Sequence, residues 1–222
     1  MSEESREEKN GNHRRNHGRA GDAGDLEGKH VLITGAGRGL GRAAALEVSS
    51  RGGQVALLSR TREEVEGVAR QIRDAGGRAL SHAGDVASLH DVEAFVHVAT
   101  QSFGPPFMLV NNAAIIGPPR FMEDAEPREW ERTLSINLHG AVLMARAVIP
   151  AMKTSGDGVI VNITSGLGQM PYPRFAAYAV SKAALIQLTR SLSEELAPHG
   201  IRVNGVDPGI MDTSMQTHIR GL

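Results

Sequence analysis

The feature that most constrains this chain is a regular alternation of short apolar runs with longer helical periods. Runs rich in Val, Ile and Leu occur at residues 30–34, 54–58, 107–110, 158–163 and 201–206, with a weaker one (RALSHA) at 78–83. Each is too short for an isolated helix, and the five strong runs lack polar alternation. Both traits suit strands buried on two faces, as in a parallel sheet covered by helices. Helical periods lie between them at residues 40–51, 61–75, 88–103, 126–152 and 175–197. In the second, Thr61 can cap and Glu64 can complete a capping box; the third starts at an N-cap serine, Ser88. This order predicts right-handed crossovers in a doubly wound parallel α/β sheet, Rossmann-like and forming a single domain.

Composition limits what such a domain can do. Residues 1–28 carry five Lys/Arg, seven Asp/Glu and five glycines, with Met1 and Leu26 as their only larger apolar side chains. That stretch buries too little surface to offset its ordering entropy and reads as a disordered charged tail, leaving 29–222 as the folding unit. A net charge of −1 excludes a strongly basic nucleic-acid or membrane-surface protein, and the absence of cysteine excludes disulfides, thiolate metal sites and thiol catalysis. The nine histidines show no paired ligand spacing, so no metal is expected. No apolar run approaches the ~18 residues that span a bilayer, and the acidic start lacks a signal-peptide core, so a cytoplasmic location is expected.

The first strand runs directly into Thr34-Gly35-Ala36-Gly37-Arg38-Gly39-Leu40-Gly41, followed by a helix. The spacing is TGxxxGxG rather than GxGxxG. Gly35 permits a tight turn off the strand, while Gly39 and Gly41 let backbone approach a diphosphate and let the helix pack closely on the sheet. The helix N-terminus offers free N–H groups and partial positive charge to phosphate. A glycine-rich turn that only caps a helix is the competing reading; the position at the first strand-to-helix junction favours a nucleotide.

Tyr178-Ala-Val-Ser-Lys182 places a phenol and an ammonium one helical turn apart, with Cβ atoms ~5–6 Å from each other. An ammonium at ~4 Å would favour the phenolate by about 4 kcal/mol at an effective dielectric near 20, bringing a phenol of pKa near 10 towards neutral pH. Ser165 follows the strand VIVNIT at the carboxyl edge, where open α/β sheets bind ligands. Its hydroxyl could meet a substrate carbonyl. Taken singly, each residue could equally be core, rim or loop.

Together, Thr34–Gly41 (TGAGRGLG), Asn111–Ala114 (NNAA), Asn137, Ser165, Tyr178/Lys182, Pro208-Gly209 and Thr213 resemble, in order, the motifs of the short-chain dehydrogenase/reductase family over residues 28 to about 215. NNAA departs from the usual NNAG by one methyl. The resemblance implies hydride transfer between a nicotinamide and a carbonyl or alcohol carbon of a small molecule. On that basis Tyr178 is the general acid/base, Lys182 lowers its pKa and holds the nicotinamide ribose, Ser165 orients the carbonyl, and Asn137 anchors a water-linked relay to Lys182. The cofactor set is Gly35, Gly37, Arg38, Gly39, Gly41, Ser59, Arg60, Asp85, Val86, Asn112, Tyr178, Lys182, Pro208, Gly209 and Thr213. Asp85-Val86 would bracket the adenine, Asn112 lie along the adenosine, and Pro208-Gly209 with Thr213 flank the carboxamide.

An NAD enzyme of this fold ends its second strand with a carboxylate for the ribose hydroxyls. Here Ser59 stands in that place, Arg60 follows, and Arg38 lies in the glycine turn. Arginine forks suit phosphate oxygens, so NADP(H) is expected over NAD. Two other readings stand beside the general one. One is a 3-oxoacyl-acyl-carrier-protein reductase docking its acidic partner on Arg120, Arg128, Arg132 or Arg174; the other is a non-catalytic nucleotide-binding protein on the same fold. Pro118, Pro119, Met170, Tyr172 and Phe175 suggest a partly apolar pocket. No seventh strand pattern follows Val206, so the last strand of family members is expected to be missing, leaving an open edge and a homodimer through helices 126–152 and 175–197.

Overall fold

The computed structural model describes residues 25–209. The six apolar runs become β1 (His30–Thr34), β2 (Gln54–Ser59), β3 (Arg78–Ala83), β4 (Met108–Asn111), β5 (Gly158–Ile163) and β6 (Ile201–Val206). They form one wholly parallel sheet in the order β3-β2-β1-β4-β5-β6. Alternate side chains explain why both faces had to be apolar. Val31, Ile33, Val55 and Leu57 pack beneath α1 (Gly39–Ser50) and α2 (Arg62–Asp74). Leu32, Ala56 and Leu58 face the opposite layer, with Val92 and Phe95 of α3 (Leu89–Phe103). Each fully buried Leu, Ile or Val contributes about 1.5–3 kcal/mol, so a strand lined on both sides is held firmly in register.

Of the two side-chain caps expected from the sequence, one forms. Ser88 caps α3 by accepting from the Asp91 N–H at 3.2 Å, as expected. Thr61 sits at the N-cap of α2 without a side-chain cap bond, so the predicted capping box does not form. The carboxylate of Glu64 is drawn instead towards the glycine turn.

Three expectations need correction. The helix expected over 126–152 is α4 (Pro127–Leu134), a π-helical turn at Ser135–His139, and α5 (Gly140–Ser155). Wide turns of this kind arise where side chains draw the helix out of register, and Asn137 is held by two other segments. The joined stretch Pro127–Ser155 is, by length and composition, apolar enough to cross a membrane, contrary to the expectation that no run is. Its apolar side chains Leu143, Met144, Val148 and Met152 are spent in the core. Residues 25–28, assigned to the tail, form a turn: Leu26 packs against the α1/α2 layer and Asp25 pairs with Arg51 at 3.2 Å.

The switch in strand order falls between β1 and β4, where consecutive crossovers leave in opposite directions and open a cleft at the carboxyl edge. The last helix, α6 (Ala176–Leu196), packs on β6 and on the turn after β5. Among the described residues β6 borders only β5. Thr213 and the expected C-terminal segment lie outside the described residues.

Candidate active site

The cleft at the switch point encloses about 670 Å³, within the range of small-molecule sites. Two clasps hold its floor open. The buried Thr34 hydroxyl accepts from the N–H groups of Asn112 and Ala113, both at 3.1 Å. The Asn112 amide donates to the carbonyls of Thr34 at 2.9 Å and Gly35 at 3.1 Å. Asn112 therefore joins β1 to the segment after β4, and its main visible work is structural. Gly35 turns the chain at φ +64°, and a Cβ on Gly41 would stand 2.3 Å from the Gly35 carbonyl oxygen. Only glycine lets α1 start this close to the strand. The N-cap of α1 is Arg38, which supplies no side-chain cap, so the first turn of α1 presents its amides to the cleft as a dinucleotide diphosphate requires.

Of the residues singled out from sequence, Gly35, Arg38, Gly39, Ser59, Arg60, Asp85, Val86, Asn112, Ser165, Tyr178, Lys182, Pro208 and Gly209 line this one cleft. Gly37 and Gly41 are packing positions behind it. Asp85 is turned partly inward, its carboxylate accepting from the Ala87 N–H at 2.9 Å.

At the far end, β5 delivers Ser165 into a short turn whose Gly168 lies against α6. A Cβ there would come within 2.8 Å of the Ala183 nitrogen and 3.0 Å of the Lys182 Cβ. This contact, invisible in the sequence, sets Ser165 over the Tyr178–Lys182 face. Burial pushes the Tyr178 phenol above its ordinary pKa and the Asp207 carboxylate pushes the same way, while the neighbouring Ser165 hydroxyl draws it down by less. The expected lowering by Lys182 is not expressed. Lys182 is itself buried, which lowers its pKa to about 8, and its Nζ donates to the Ile163 carbonyl at 2.6 Å, lying 5.7 Å from the Tyr178 ring centre.

Asn137 does not line the cleft. Its amide accepts from the Ile115 N–H and donates to the Ile115 carbonyl, both at 2.8 Å, and donates to the Ser181 hydroxyl at 3.0 Å. It pins the Ile115 wall to α6 one residue before Lys182, with no direct side-chain bond to the lysine among the described residues. Two carboxylates also line the cleft: Asp207, which the sequence did not single out, and Glu64, which it singled out only as a capping residue. A place in the cleft was signalled for Asp207 only by its preceding Pro208-Gly209, and for Glu64 only by its lying five residues beyond the end of β2.

The profile of the family described as short chain dehydrogenase matches residues 29–221. The chain belongs to the short-chain dehydrogenase/reductase family. It is therefore an oxidoreductase of the kind that acts on alcohols and ketones with a nicotinamide nucleotide. Similar curated proteins include an uncharacterised oxidoreductase of Thermotoga maritima, 40% identical over 185 residues covering 83% of this chain and 72% of the relative. Among solved structures, a metagenomic short-chain oxidoreductase in complex with NADP superposes with a TM-score of 0.80 at 38% identity, covering 83% of this chain and 84% of the other. A 3-ketoacyl-(acyl-carrier-protein) reductase from Brucella melitensis complexed with NADH gives 0.82 at 39% identity, covering 86% and 79%.

Proposed function

We propose that this family member is an NADP(H)-dependent reductase of small carbonyl compounds in which Tyr178 exchanges the proton. The reading rests above all on Ser165, Tyr178 and Lys182 lining the same cleft as the glycine turn. When bound, the nicotinamide supplies or accepts the hydride. The substrate oxygen sits between the Ser165 hydroxyl, which orients it, and the Tyr178 phenol. Because burial and Asp207 keep that phenol protonated through neutral pH, it stands ready to donate to a carbonyl oxygen as charge develops there. Alcohol oxidation needs the phenolate and so gains as pH rises. Lys182 would hold the ribose hydroxyls of the nucleotide, and Asn137 acts through position, fixing Ile115 and the start of the Lys182 turn.

The arginines Arg38 and Arg60 beside Ser59 support NADP(H) over NAD(H). Assembly as a homodimer through α4–α5 and α6 belongs to the same reading. The experiment is turnover of Tyr178→Phe with NADPH. The expected loss is about 10²–10⁴-fold, with NADPH binding retained, since only the proton donor is removed. Activity above a tenth of wild type assigns the acid elsewhere, and a wild type that binds NADH as tightly as NADPH overturns the cofactor preference.

A second reading, reduction of a 3-oxoacyl group on acyl carrier protein, is favoured by the exposed Arg128 and Arg132 on α4. Arg120 and Arg174 do less for it: Arg120 lies 3.8 Å from Glu129, and Arg174 donates to the Pro119 carbonyl. Comparing acetoacetyl thioester with simple ketones separates the two.

A further inference from the structure

The corner of the cleft at the end of β2 holds an acidic group beside its two arginines. Arg38, Ser59, Arg60, Thr61 and Glu64 all line it. Glu64 belongs to the first turn of α2, where a capping role would bend its carboxylate back to the helix start. Thr61 and Glu64 make no such box. The side chain lies against the glycine turn instead: a Cβ built on Gly37 would stand 2.9 Å from the Glu64 Cβ, 3.1 Å from its Oε2 and 3.2 Å from the Ser59 hydroxyl. The Glu64 carboxylate is thus wedged between the turn and the strand end. Its Oε1 lies 4.0 Å from Arg38 Nη1, at the limit of an ion pair, and the Arg38 side chain stays 70% exposed.

We infer that Glu64 is a specificity-determining residue that holds down the preference for NADPH over NADH. The inference rests on the reading that this corner receives the adenosine 2′ position of a nicotinamide dinucleotide. With Arg38 and Arg60 alone the corner would carry two positive charges; Glu64 cuts the balance to one. A 2′-phosphate, nearly a dianion at neutral pH, must approach this carboxylate and share Arg38 with it. A 2′-hydroxyl meets the opposite situation, since a carboxylate in this corner accepts its hydrogen bond. That is the part an acidic residue at the strand end plays in NAD-binding relatives of the fold, performed here from α2 while Ser59 occupies the strand end. The result is a graded site that takes both cofactors, with the phosphate form ahead by a margin that Glu64 limits.

The test is fluorescence titration of NADPH and NADH on the full chain as wild type, Glu64→Gln and Arg38→Gln, at low salt and in about 0.5 M NaCl. Glu64→Gln should tighten NADPH about three- to tenfold and weaken NADH about twofold or more, widening the ratio of the two affinities. Because the effect is electrostatic at a partly exposed corner, it should shrink in high salt. Arg38→Gln should move the ratio the other way, and it keeps the question answerable if the first variant folds poorly. A ratio unchanged within twofold in Glu64→Gln, or shifted towards NADH, overturns the inference while leaving the dinucleotide reading standing. A folded wild type that binds neither cofactor removes that reading and the inference with it.

Discussion

Lys182 should weaken the fold that it serves. The residue is 2% exposed, and burial brings its pKa from 10.5 to about 8. At about 1.4 kcal/mol per pH unit this displacement corresponds to a penalty of about 3 kcal/mol for holding the charge inside. The sign follows from proton counting. Between pH 8 and 10.5 the unfolded chain binds more protons than the folded one, so stability rises with pH across that window. The penalty is nearly complete at pH 7 and shrinks to roughly 1 kcal/mol by pH 9.5. Replacing Lys182 by Met keeps most of the side-chain volume and removes the charge, but strips the Ile163 carbonyl of its donor. Losing that partner costs about 1–3 kcal/mol, so the net gain at pH 7 is about 0–2 kcal/mol. At roughly 2–4 °C per kcal/mol for a domain of this size, Lys182→Met should melt level with wild type or up to about 8 °C above it at pH 7 without cofactor. The excess should fall away or reverse by pH 9.5, and turnover should collapse at both. A variant that melts below wild type at pH 7, or a difference independent of pH, would falsify the claim that buried charge is the dominant cost at this position.

Substitutions at two further positions probe the frame around the site. Gly41→Ala forces a methyl to 2.3 Å from the Gly35 carbonyl oxygen and 2.6 Å from the Asn112 amide nitrogen. It should cost about 1–3 kcal/mol and weaken dinucleotide binding together with the melting temperature; unchanged values for both would mean that α1 can withdraw freely. Asn137→Ala leaves the N–H and carbonyl of Ile115 without their partners and should lower stability by about 2–5 kcal/mol in urea unfolding. Asn137→Asp, which keeps the acceptor for the Ile115 N–H, should restore part of it; equal losses in the two variants would remove the clamp as the explanation.

The order of strands and helices was legible because it rests on local rules. Apolar runs of four to six residues, glycines after helices and a serine before α3 encode their elements within a few residues of sequence, and the observed bounds of most elements differ by one residue or none. The TGxxxGxG turn and the Tyr178–Lys182 spacing belong to the same class, since one turn of backbone decides what they can do. Tertiary structure alone decided the rest. The Asn112 bond to Thr34 spans 78 residues and that of Asn137 to Ser181 spans 44, so no local pattern announces them. The same holds for Gly168 against Lys182, for Asp207 beside Tyr178 and for Glu64 against Gly37. Even the electrostatic expectation for the tyrosine failed for this reason. A four-residue spacing brings two side chains to one face of a helix, but only the packing around them determines whether the ammonium turns to the phenol or to the Ile163 carbonyl, and how much water each charge must give up.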